Sequence, residues 1–125
     1  MRSRIIIAVG IIGILVGPGF AGAHEEPDGE QAAVQTITGE VVDLACYLNE
    51  GAMGPGHREC AQKCISSGLP VGIKTENGLY LAISSEHGPA NKTLASLAAR
   101  QVSVEGTVSE RDGVHLIAIK KVTPK

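Results

Sequence analysis

The sequence predicts a mainly β fold, a small five-stranded barrel with two short helices, and three observations predict it. After residue 33, β-branched and apolar residues recur in five short runs. Glu76-Asn77-Gly78 and Arg111-Asp112-Gly113 join two pairs of those runs, and Asn-Gly or Asp-Gly between alternating runs is a hairpin signal. The two stretches of helical spacing fall after the first run and between the third and fourth. Five short strands leave the fewest exposed edges when they close on one another. A helix between the third and fourth strands matches the OB-like barrel; a flat α+β sheet is the alternative.

The chain opens with an export pattern. Met1-Arg2-Ser3-Arg4 is basic, Ile5 to Val16 is apolar, Pro18-Gly19 ends the helical tendency, and Ala21-Gly22-Ala23 has the small-x-small form of a peptidase site. Residues 1–23 are therefore expected to be a signal peptide, and the product periplasmic or secreted. An uncleaved anchor is the competing expectation, but the apolar run falls short of the roughly 20 residues that a membrane span needs. Residues 24–33 are acidic with little to bury and read as a mobile leader. Residues 34–125 make the OB-like domain, long enough for one modest core.

Within that domain the first strand is expected from Val34 to Ala45, with a bulge or bend at Gly39. Asn49 to Gly56 reads as a glycine-rich loop and His57 to Ser67 as a helix stopped by Gly68 and Pro70. Val71 to Thr75 and Leu79 to Ile83 form the first hairpin. A second helix is expected over Lys92 to Arg100 with Asn91 as its N-cap. Val102 to Val108 and Val114 to Val122 form the last hairpin.

Composition narrows the function. Cleavage after Ala23 removes two of the 11 basic residues and none of the 13 acidic ones, taking the net charge from −2 to −4. Phosphate binding needs a basic patch, and single-strand binders stack bases on aromatic rings. Beyond the signal the chain has no Trp or Phe and two tyrosines, Tyr47 and Tyr80. A nucleic-acid partner is therefore not expected.

The chemistry-bearing residues are Cys46, His57, Cys60 and Cys64. If residues 57–64 are helical, at about 100° per residue His57, Cys60 and Cys64 fall within about 60° of one face. A His57 at the helix start would stay nearby with a looser angle. Cys46, leaving the first strand, could close the set from the opposite side. Three thiolates and an imidazole are a recognised tetrahedral zinc set and also suit copper(I). The metal-ligand reading is thus Cys46, His57, Cys60 and Cys64, with zinc or copper as the ion and no catalytic residue assigned. Asp43, three residues before Cys46, could orient a ligand's proton from behind or be an ordinary strand-end polar residue.

Two other readings stay open. In an oxidising compartment Cys46 could pair with Cys60 or Cys64, stapling a domain that binds another exported protein, with the third thiol left over. Thiol redox chemistry is the other, although the spacing is C-x-x-x-C rather than C-x-x-C at a helix start. Met53 could add a thioether for copper or be an ordinary exposed loop residue, Tyr47 reads as packing, and His87 and His115 show no partner in the sequence. His24 would become the amino terminus after cleavage and could chelate copper(II) with its amine.

The stretches Gly39 to Leu48 and His57 to Cys64, followed by Gly68-Leu69-Pro70-Val71-Gly72, carry the pattern D-x-x-C-Y…H-x-x-C-A-x-x-C. Together with the closing run Val102 to Val108 and Val114 to Val122, they resemble small exported bacterial proteins with an OB-like barrel. The resemblance covers most of the chain beyond the signal and implies the fold. It carries over no activity, because this barrel hosts many unrelated functions.

Overall fold

Asp43 ends the first strand, and its position shapes everything that follows. The computed structural model describes residues 33–125; the expected signal peptide and all of the leader except Ala33 lie outside them. Strand β1 (Val34–Asp43) runs directly into helix α1 (Leu44–Glu50). A 3₁₀ turn at Pro55–His57 leads into α2 (Arg58–Ser66), then β2 (Val71–Thr75) and β3 (Gly78–Ser84). A single helical turn, α3 (Asn91–Leu94), continues as a 3₁₀ turn at Ala95–Leu97. Strands β4 (Gln101–Arg111) and β5 (Val114–Pro124) complete the chain.

The five strands close in the order β1-β2-β3-β5-β4, as in a small OB-like barrel. All neighbours are antiparallel except β3 and β5. β1 is shared between two partners. Its first part, Val34 to Glu40, pairs with β4, and Glu40 to Asp43 pairs with β2. That change of partner turns the sheet through its corner.

Gly39 sits at this corner because the backbone of β2 crosses it there. A Cβ on Gly39 would collide with the Lys74 carbonyl. The pairing of β1 with β4 runs through Gly39 without a register shift; the shift lies between Glu105 and Gly106 on β4. A Cβ on Gly106 would collide with the Ala118 carbonyl of β5. Both glycines are required by close approach of a neighbouring strand, since neither has a left-handed φ.

Three helical expectations needed correction. β1 stops at Asp43 rather than Ala45, so Ala45 and Cys46 belong to a third helix, α1. The Asp43 carboxylate accepts the Cys46 N–H at 2.8 Å, an N-cap bond that starts the helix two residues early. Gly51, with φ of 69°, ends α1 as a left-handed C-cap. The expected helix over Lys92 to Arg100 is one α turn plus a 3₁₀ turn, and Asn91 lies inside it rather than capping it. The Asn91 amide instead donates to the carbonyls of Ile65 (2.8 Å) and Leu69 (2.6 Å), closing the C-terminal end of α2.

The core is built from small and β-branched side chains. Val41, Val71, Ile73, Val102, Val104 and Ile117 point into the barrel. Ala61 and Ile65 of α2 and Leu94 of α3 seal one end. Their spacing of four residues on α2 places Ala61 and Ile65 on one face. Cys60 and Cys64, each one residue earlier, therefore lie on the flank of that face.

Substituting Ala at Gly39 or Gly106 is expected to destabilise the barrel by about 1–3 kcal/mol, the usual cost of forcing atoms into a packed position. Urea midpoints should fall for both variants. An unchanged midpoint in either would show that the strands can move apart without penalty.

Candidate functional site

The site grows from one buried carboxylate. Asp43 is fully enclosed, with a side-chain exposure of 0 %. Its Oδ1 accepts the Cys46 N–H, and its Oδ2 lies 3.1 Å from Nε2 of His57. Burial pushes the Asp43 carboxyl up. Hydrogen bonds from the Cys46 backbone and thiol and from His57, with the His57 charge, outweigh that effect and hold it below its ordinary value. An ionised carboxylate can only accept. The Nε2 of His57 therefore carries the proton, and in the neutral imidazole Nδ1 keeps the free lone pair.

His57 reaches Asp43 from a loop that is itself tied down. The buried Glu40 accepts the Gly54 N–H at 2.5 Å, and the Gly54 carbonyl accepts the His57 N–H at 3.0 Å. Gly54 has a φ of 84°, which favours glycine. Pro55 opens the 3₁₀ turn that ends at His57, a position where its missing N–H costs nothing. His57 thus precedes α2 rather than riding on it, with its side chain 18 % exposed.

The structure brings all four expected residues to one end of the barrel, from α1, the 3₁₀ turn and α2. Ligand atoms of Cys46, His57 and Cys60 lie within 4.8 Å of one another, and so do those of Asp43, Cys46 and Cys64. Such a cluster is close enough to hold a metal ion. All three cysteines are free thiols, Cys60 exposed and the other two half-buried.

The thiol of Cys46 is pushed up to about 12, first by its hydrogen bond to the Asp43 carboxylate, then by burial and by the Asp43 charge. The Cys64 thiol is also raised, chiefly by burial and against a lowering hydrogen bond from Cys46. These thiols hold their protons until something stronger displaces them.

The other residues noted in the sequence lie elsewhere. Met53 is exposed and lines a groove beside β1 with Thr36, Thr38 and Lys74. His87 sits in the turn after β3. His115 has partners that the sequence did not reveal: the Tyr80 ring at 5.2 Å and Glu110 at 3.6 Å. His24 lies outside the described residues. Glu40 is the contributor that sequence reasoning missed, and its signal was a charge in the middle of the run that becomes the buried half of β1.

Comparison of the chain with protein-family models, with curated proteins and with solved structures finds no match.

Two variants probe this frame. Asp43→Asn keeps an N-cap acceptor but removes the charge, so the Cys46 thiol should titrate lower, towards its ordinary range, in ultraviolet thiolate absorbance; an unmoved titration would mean that Asp43 does not control it. Glu40→Ala removes the acceptor for Gly54 and should cost about 1.5–3 kcal/mol, as for other hydrogen bonds to charged groups. Amide exchange at Gly54 and His57 should speed up more than at Val104 in the core.

Proposed function

We propose that this is an exported metal-binding module whose cluster of Cys46, His57, Cys60 and Cys64 takes a soft or borderline ion, zinc or copper(I). One observation carries the reading: thiols and an imidazole from three separate stretches of chain converge within ligand distance, backed by a buried carboxylate. A histidine whose far nitrogen is held by a carboxylate is the usual arrangement of a metal-ligating imidazole, because the carboxylate fixes the tautomer and strengthens the donor. Thiolate and imidazole donors select this class of ion over calcium or magnesium.

The raised thiols favour metal binding over thiol redox catalysis. A redox thiol is activated by a depressed pKa, whereas Cys46 is held at about 12. A metal ion can still displace the proton, since coordination deprotonates a thiol outright. Each thiolate ligand formed at neutral pH then releases about one proton.

Native mass spectrometry of the protein from the exported fraction tests the reading. One zinc or copper per chain is expected, lost on chelation with three thiols then free to react. Cys46→Ser should abolish uptake, because Cys46 belongs to both sets of neighbouring donors. A metal-free mass two hydrogens light would instead identify a disulfide and the stapled interaction domain. Uptake in weakly buffered solution should also acidify the medium, and a proton count of zero would exclude thiolate ligation.

A further inference from the structure

The three thiols form one continuous group. Cys64 is hydrogen-bonded to both Cys46 and Cys60. The sulfur of Cys46 also lies within 4.8 Å of those of Cys60 and Cys64.

The three differ in access and in attachment. Cys60 is exposed while Cys46 and Cys64 are half-buried, so a reagent from solvent meets Cys60 first. Cys60 and Cys64 share α2, whereas Cys46 comes from α1. Side chains four apart on a helix have their Cβ atoms about 5–6 Å apart, and a disulfide needs them at about 3.5–4.5 Å. A Cys60–Cys64 bond therefore has to unwind α2, which Ala61 and Ile65 fasten to the core. A bond from Cys60 to Cys46 joins two separate helices and makes no such demand. A cysteine that ligates a metal is already a thiolate, the form that attacks a disulfide. The loaded cluster thus presents a thiolate at its solvent face, in a protein expected to work where disulfides persist.

We infer that thiol oxidation controls whether the cluster holds its ion: a disulfide-bearing oxidant reacts at Cys60, a Cys46–Cys60 disulfide forms, and the ion leaves. This regulation rests on the metal-binding reading above and adds how the site empties. In the first step the Cys60 sulfur bonds to one sulfur of the oxidant, whose S–S bond breaks and whose other half departs as a thiolate. In the second the Cys46 sulfur bonds to Cys60 Sγ and expels the remaining half as a thiolate. Two electrons pass from the cysteine thiolates to the oxidant, which takes up protons from water and ends as two thiols. The ion keeps its charge. Of the four donors, Cys64 and His57 remain, half of the set that held it.

Zinc serves as the probe because it has no redox chemistry, so every electron comes from the thiols. The full-length exported protein is reduced, loaded anaerobically with zinc, freed of excess metal and treated with oxidised glutathione. A chromogenic chelator should read one zinc released per disulfide formed. Peptide mapping should link Cys46 to Cys60 and find Cys64 alkylated, and reduction should restore uptake. Cys46→Ser, treated without metal, should stop at a mixed disulfide and carry one glutathione on Cys60. Zinc retained with all three thiols intact would overturn the inference and leave the metal-binding reading standing, as would release with Cys64 in the disulfide. Uptake of neither zinc nor copper(I) by the reduced wild type would overturn both, and would leave the disulfide as a plain staple.

Discussion

The Asp43 carboxylate is the constraint on which this end of the molecule depends. A carboxylate enclosed by protein is costly unless its oxygens are hydrogen-bonded. Here each is satisfied, one by the first turn of α1 and the other by His57. The same group therefore ends a strand, starts a helix, orients an imidazole and holds a proton on the Cys46 thiol. These effects are coupled, because moving the carboxylate to improve one bond weakens the others.

The barrel supplies the rigidity that such a group needs. β1 leaves β4 for β2 at Glu40, and the final residues of that strand, Glu40 to Asp43, are all buried. Glu40 and Asp43 are three residues apart and so emerge on opposite faces of the strand. Glu40 holds the loop at Gly54, while Asp43 holds His57 three residues further on. Two buried acids on one strand thus fix a loop whose glycines would otherwise leave it many conformations. The Cα trace of that loop decides where the imidazole points, and α2, seated on the core through Ala61 and Ile65, decides where the thiols lie.

Much of this was legible along the chain. The two hairpins followed from Asn77-Gly78 and Asp112-Gly113, because those turn residues tolerate the backbone that a tight connection requires. The pairing of Cys60 with Cys64 was legible from spacing on one short helix, whereas His57 joins them from the 3₁₀ turn before it and Cys46 from α1. Helix α1 was missed although its signals were present: Asp43 is a good N-cap, and Gly51 stands just beyond a helix of seven residues. The β-branched run before it, and the short length of the helix, outweighed them. Asn91 was misread for a related reason. It has the right chemistry for a cap, but the helical turn starts one residue earlier, with Ala90 at the cap position, and the Asn91 side-chain nitrogen donates instead to the carbonyls of Ile65 and Leu69.

The sequence by itself determined the five strands, their turns and the identity of the four side chains that cluster at one end of the barrel. Those depend on local preference and on residue type, which are read within a few positions. Only the tertiary structure decided that Asp43 and His57, 14 positions apart, share a hydrogen bond, and that Cys46 stands between two sets of donors rather than in one. Contacts of that range depend on where a barrel closes and on which face of a helix meets the core. Both are set by packing the whole chain at once, so no stretch of sequence contains them.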